Sequence, residues 1–330
     1  MANSDDSIRL QSKAAYKQWA EQWREQAAAH LPYKKKPLRD FENVGIGKAV
    51  VCVANGYSFE ENIDILREHQ NNVDILCCDK TLGHLLDNGI VPTYCMVCDA
   101  NVNYEKYLKP YEHLLKDTIL FINVCANPQW SANGNWKDKY FFVNQDIIDS
   151  HIEFSKLSGC TNFMPAGTNV SNAMVILLSQ SDNTARRNLF GYDKMILVGY
   201  DYSWKDGGKY YAFDEDGGGK ANYMKHSYIT LPSGAFAYTS GNLIFSKNWL
   251  AKYIANFNLP VVQTSKDSLL SFGKVSDLAE QMQYRHKVED RKSVKKMVDE
   301  LREIEKRSAE LRGHIHTIGK DHWWAHARTV

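Results

Sequence analysis

The chain has 330 residues, 44% hydrophobic and 24% charged, with a formal net charge of +1, the composition of a soluble globular protein with length enough for two domains or for one α/β domain with appendages. No stretch approaches the roughly 18 uninterrupted apolar residues of a membrane span, and Met1–Leu10 is polar and charged, which argues against membrane insertion and secretion. The charge is uneven, at +3 over residues 1–48, −6 over 49–284 and +4 over 285–330: the basic ends either touch something anionic or are solvated helix faces.

Residues 7–29 predict a helix, with Ala15, Trp19 and Trp23 four apart, ended by Pro32 and the Lys34–Pro37 run. It reads as an appended arm (1–47) whose tryptophans cover the main domain. Ala49–Ala54 is a continuous apolar run, the pattern of a buried parallel strand, and leads into Asn55–Ser58. A helix is expected from Ser58 to about His69, with Ser58 as N-cap and Glu61 completing a capping box.

The alternation repeats: strand Asp74–Cys78, helix Thr81–Asp87, strands Tyr94–Cys98, Ile119–Val124 and Phe141–Val143, helix Ser171–Gln180, strand Met195–Gly199. This predicts an α/β fold with a Rossmann-like, mostly parallel sheet covered on both faces. Residues 203–225, rich in Gly and Asp, interrupt it and read as a long lid loop. Helix Asn242–Phe257 and strand Pro260–Gln263 close the domain, 48–270. The segment 271–330 follows, helical and basic; its helix Ser293–Leu311 has a narrow apolar seam (Val294, Met297, Leu301, Ile304, Ser308, Leu311) that packs on the domain or pairs with a second copy.

The seven cysteines (52, 77, 78, 95, 98, 125, 160) mostly have apolar neighbours and fit buried free thiols in a reducing cytosol, hence a cytoplasmic protein. Cys95 and Cys98 form a CxxC with no second pair at zinc spacing, within a segment that reads as a strand.

Ligands of a parallel α/β sheet bind beyond the carboxyl ends of its strands. There the sequence places Asn55–Gly56, Asp79, Asp99 and Asp201. Gly56 allows close backbone approach, and a helix starting at Ser58 would offer N–H groups to a phosphate. Gly167–Thr168–Asn169, before a second helix, repeats the arrangement. The pattern is neither GxGxxG nor a P-loop. His226, in Met224–Ser227, is a candidate general base or a surface bystander. The tail His322–Arg328 could stack on and pair with nucleic acid, or pack on the domain.

Val53–Phe59 resembles the AGNGPSL segment of the bacterial sialyltransferases of glycosyltransferase family 42. In the same order, Gly167–Val170 resembles its TSGV, Ile196–Tyr202 its IYLSGIDF, Tyr211–Asp214 its YAFD and Lys225–Ser227 its GHS. Asp79, Gly89–Thr93 and Val97–Asp99 resemble the motility-associated Maf glycosyltransferases and the MptE-like 6-hydroxymethylpterin diphosphokinases.

The resemblance implies a Rossmann-like, GT-A-like fold that transfers a sugar from a nucleotide-linked donor (CMP-, UDP- or GDP-) to an acceptor hydroxyl on a glycan, a protein or a DNA base. Asn55, Gly56, Tyr57, Ser58, Asp79, Asp99, Gly167, Thr168, Asn169, Asp201 and Tyr211 would bind the donor. His226 would be the base, with Tyr211 and Asp99 beside it in catalysis. Tyr57 replaces that family's Pro, Ser203 a phosphate-contacting Tyr, and Asp79 and Asp99 two Asn residues, adding negative charge that a cation or a donor group on base or ribose would compensate. The MptE-like alternative implies a diphosphokinase using ATP and Mg²⁺. The third alternative is a non-catalytic nucleotide-binding module.

Overall fold

A computed structural model of the chain describes residues 4–145, 150–165, 167–180, 188–205, 210–213, 226–270, 275–283 and parts of 300–310. Met1–Arg285 form one compact unit and His286–Val330 a second.

The first unit is built on α1 (Ser4–Ala29), β1 (Ala49–Val53), α2 (Tyr57–Glu61), α3 (Ile63–His69), β2 (Asp74–Cys78), α4 (Asp79–Asp87), β3 (Tyr94–Val97), α5 (Tyr104–Tyr107) and β4 (Ile119–Asn123). It continues through α6 (Gln129–Ala132), β5 (Asp138–Asn144), α7 (Ser150–Ser158), β6 (Phe163–Met164), α8 (Val170–Leu178) and β7 (Lys194–Val198). Then come β8 (Trp204–Lys205), β9 (His226–Thr230), β10 (Phe236–Ser240), α9 (Gly241–Phe257), β11 (Val261–Gln263) and α10 (Leu278–Met282).

Eight strands form a sheet in the order β11-β7-β1-β2-β3-β4-β5-β6, with every pair parallel. All five residues of β1 are buried, because both faces are covered. Ala49, Val51 and Val53 meet Leu66 of α3 and Leu82 and Leu85 of α4 on one side. On the other, Val50 and Cys52 join the core formed with Val175 and Ile176 of α8 and Leu250 of α9. That two-sided burial explains why the strands read as continuous apolar runs rather than alternating ones.

Strand order reverses at β1, whose neighbours β2 and β7 lead away in opposite directions. This is the switch point where a crevice opens beyond the strand ends. The strand ends meet closely here: Gly199 lies at φ +76, and an added Cβ would press into the Ala54 carbonyl.

The expected helix Ser58–His69 is broken at Asn62 into α2 and α3. Its N-cap is Gly56, which makes no side-chain capping bond. Ser58 is drawn instead into the β7 end: its Oγ accepts from Gly199 N at 3.0 Å, and its own N–H donates to Asp201 Oδ2 at 2.8 Å. The capping box therefore does not form.

The stretch read as a lid begins with structure. Trp204–Lys205 pairs antiparallel with β10, and β10 pairs with β9, making a three-stranded sheet β8-β10-β9. His226 accordingly opens a strand rather than ending a loop. Residues 206–209 and 214–225 of that lid lie outside the described residues, as do the tail 311–330 and most of the seam 293–311.

The N-terminal segment is held to the sheet at many points. In α1, Tyr16 donates to Glu153 Oε2 at 2.9 Å and Gln26 Nε2 to the Ala100 carbonyl at 2.8 Å. His30 is fully buried with Nδ1 2.9 Å from the Val124 carbonyl, and burial pushes its pKa down to about 4. Phe41 stacks on Phe190 at 5.0 Å and meets Tyr140 edge-on at 4.6 Å, inside a cluster with Tyr94 and Phe121.

Candidate functional site

A cavity of about 610 Å³ lies at the carboxyl ends of the strands. Of the residues singled out from the sequence, Asn55, Gly56, Asp79, Asp99, Gly167, Thr168, Asn169 and Tyr211 line it. Tyr57, Ser58 and Asp201 do not. Tyr57 donates to the Asp267 carbonyl at 3.0 Å, and Asp201, fully buried, accepts the Ser58 N–H through Oδ2 while its Oδ1 has no hydrogen-bond partner. One N–H of the first turn of α2 is thus already taken by a carboxylate, and Gly56 is needed for packing: a Cβ there would meet Asp201 and the Gly199 carbonyl. The side chain of His226 lies outside the described residues; its backbone pairs with Ser240, three residues before Leu243 of the cavity wall.

The helix start that does open on the cavity is that of α8. Asn169 caps it, accepting from Asn172 N at 2.8 Å, while Val170 and Ser171 line the space. Thr168 is held at φ +70, with its hydroxyl donating to Ser246 Oγ at 2.9 Å. Gly167 has no room for a side chain, since a Cβ would stand 2.7 Å from Ala173 N. Tyr200 donates to the Ser171 carbonyl at 2.7 Å and Tyr202, also in the left-handed region at φ +56, to Asn172 Oδ1 at 2.6 Å. Left-handed backbone at non-glycine residues persists where the surroundings over-determine it, and it collects at binding sites. Here it fixes the turn from which α8 starts at the cavity wall, the geometry in which a helix N-terminus can receive an anion.

Opposite in charge character are Asp79 and Asp99, with Lys80 next in sequence. Asp79 is buried, one oxygen taking the Lys80 N–H at 2.7 Å. Burial raises its pKa to about 6; Lys80 works against the shift and Asp99 adds to it. Lys80 Nζ donates to Tyr211 Oη at 3.2 Å and sits 4.4 Å from that ring's centroid. Burial alone would lower the ammonium's pKa, but Tyr211 and Asp79 outweigh it and the net shift is upward, so Lys80 is a cation at neutral pH. Two further acceptors are orphaned: Asn55 Oδ1 and Asn144 Oδ1, both on cavity residues, are buried with no hydrogen-bond partner. A buried polar atom without a partner is costly unless a ligand supplies one.

Because the folded-state pKa of Asp79 lies above the ordinary value of 3.8, the folded protein binds that proton more tightly than the unfolded chain, and stability is lost as pH rises from about 4 through 6. Asp79→Asn is therefore expected to stabilise the ligand-free protein by about 1–3 kcal/mol at pH 8 and to do little at pH 4. Urea unfolding at both pH values checks this; a variant weaker at pH 8 than the parent would contradict it.

Lys80, Tyr200, Tyr202, Asn144, Cys98 and Trp23 were missed from sequence. Lys80, Asn144 and Tyr200 stand within two residues of strand ends, so position alone could have flagged them. Trp23 reaches the cavity from α1 while packing edge-on against Phe154 at 6.2 Å; no local signal announces that. Cys98 lines the cavity too, and burial with Asp79 and Asp99 nearby holds its thiol well above the usual range, hence protonated.

Residues 25–207, more than half of the chain, match the family model described as 6-hydroxymethylpterin diphosphokinase MptE-like. The solved structure of the Maf glycosyltransferase from Magnetospirillum magneticum AMB-1 is similar with a TM-score of 0.51 at 12% identity, covering 79% of this chain. The chain spans 40% of the length of that structure, and the likeness is one of fold. Among curated proteins none matches the sequence.

Proposed function

Since the chain belongs to the 6-hydroxymethylpterin diphosphokinase MptE-like family, we propose that it is a nucleotide-dependent transferase, and that the group moved is a sugar passed from a nucleotide-linked donor to an acceptor hydroxyl. The observation that carries this is the pairing of Lys80 with Tyr211 on the wall of the same strand-end cavity that receives the start of α8. A cation, a phenol and helix N–H groups are what a leaving nucleotide phosphate needs.

In the step proposed, the acceptor oxygen bonds to the anomeric carbon, the bond from that carbon to the donor phosphate oxygen breaks with its electrons, and the acceptor proton goes to a base. His226 is the proposed base, and Asn55, Thr168 and Asn169 hold the donor. Positioned charge at the leaving group is worth roughly 10²–10³-fold and a general base roughly 10²–10⁴-fold.

Diphosphoryl transfer from ATP is the second reading, favoured by the adjacent carboxylates of Asp79 and Asp99. The all-oxygen donor set suits a hard cation, and the burial-strained charge of Asp79 would be relieved by one. Among the described residues no third His, Cys, Asp or Glu completes a cluster, so a magnesium ion held by Asp79 and Asp99 would take its other ligands from phosphate and water and would neutralise phosphate charge. Among the described residues no helix is long and apolar enough to cross a membrane.

Thermal melting with CMP, UDP, GDP, ADP and ATP, each with and without Mg²⁺, tests both. A ligand at a hundred times its Kd stabilises by about 2.7 kcal/mol, several degrees in a chain this size. A shift with CMP without metal, or with UDP or GDP, is the expected result. A shift confined to ATP with Mg²⁺ would replace glycosyl by diphosphoryl transfer, and no shift at all would leave a transferase without a donor and overturn both.

A further inference from the structure

Across the small antiparallel sheet, Trp204, Tyr238 and Tyr228 stand in register on neighbouring strands, and Phe236, two residues from Tyr238, shares their face. Their rings touch in an unbroken series: Phe236 to Tyr228 at 4.9 Å, Tyr228 to Tyr238 at 5.2 Å, Tyr238 to Trp204 at 6.2 Å, Trp204 to Tyr210 at 5.0 Å and Tyr210 to Tyr211 at 4.7 Å. The last two line the cavity. Tyr210 and Tyr211 are half-buried, Trp204 between the two ends is buried at 3% exposure, and the outer pair is exposed, Tyr228 at 54% and Phe236 at 55%. Trp204 anchors the row from within, but the outer pair is not core packing, since it forgoes burial that any inward position would give.

The surrounding chemistry narrows the occupant. Residues 226–240 contain no Lys, Arg, Asp or Glu, yet are rich in Ser, Thr and Tyr; Lys205 of β8 is paired with Glu61, and residues 49–284 carry a net −6. A nucleic acid stacked on such rings would need cations to neutralise its phosphates. A sugar chain needs none: its C–H faces lie on aromatic rings, and its hydroxyls pair with hydroxyl side chains.

We propose that this aromatic face is the acceptor track, holding a neutral oligosaccharide whose terminal hydroxyl is delivered to the cavity; it rests on the glycosyl-transfer reading. Most of it lies beyond the family-matched residues 25–207.

The test sets full-length protein, Y228A/F236A and Y228W/F236W on an array of neutral oligosaccharides, with nucleotide-induced melting shifts measured beside it. Expected are retention of the parent, at least tenfold weaker retention of the alanine variant, recovery in the tryptophan variant, and equal nucleotide shifts in all three. No neutral glycan retained by the parent, or equal retention of the alanine variant, would overturn the proposal. So would binding of a dT12 oligonucleotide that weakens steeply with salt, or concentration-dependent self-association that Y228A/F236A abolishes. Glycan retention in a protein that no nucleotide shifts would support the track while sinking the transfer reading.

Discussion

Lys80→Met is expected to slow transfer by about 10²–10³-fold, measured as nucleotide release from whichever donor the melting screen identifies, with the ligand-free protein melting close to the parent. Met keeps the length and apolar stem of the side chain and removes only the charge. That charge is secure in the parent: Tyr211 and Asp79 outweigh the burial that would strip the proton. A charge held inside a low-dielectric cleft acts on a leaving phosphate far more strongly than one in water. The loss should fall mainly on kcat, because in the proposed site the donor would keep its contacts at the start of α8 and lose only the interaction that grows as the phosphate departs. Lys80→Met turning over at the parental rate would remove Lys80 from the chemistry and leave its contact with Tyr211 a structural one.

Phe41→Ala carries the largest expected cost in stability, about 3–5 kcal/mol. The ring is 5% exposed and packs among Tyr94, Phe121, Tyr140 and Phe190, so truncation leaves a cavity that four rigid rings cannot collapse to fill. Urea unfolding gives the number directly. A cost under about 1 kcal/mol would mean that the segment before β1 is an accessory. A cost in the expected range would make it part of the core that supports the strand ends.

What the sequence disclosed follows from how each signal is encoded. Strands such as Ala49–Val53 and Lys194–Val198 are buried on both faces and show as apolar runs, and the order of strand and helix predicted the parallel sheet. The strand-end rule named Asn55, Asp79 and Asp99, and the pattern of a glycine turn before a helix named Gly167; all four line the cavity. That reading did not carry to Ser58 and Asp201, which stand outside the cavity lining: a carboxylate brought from another strand end takes the Ser58 N–H that a local reading left open; that competition is non-local and has no local pattern. The antiparallel sheet was hidden because β8 has only two residues, and its partner β10 lies beyond a long Gly-rich stretch. Trp23 was hidden for the same reason: helical periodicity told of an apolar face, not of the cleft that face would reach.

The placement of β1 in the middle of the sheet has a consequence for synthesis. One edge of β1 can pair with β2 almost at once, but the other waits for β7, about 140 residues later. At roughly 5–20 residues per second that is on the order of 10–30 s, during which a five-residue, wholly apolar strand offers an open edge to any neighbouring nascent chain. The emerging polypeptide is thus most vulnerable to aggregation over that interval, and chaperone demand should fall once Val198 has cleared the ribosome.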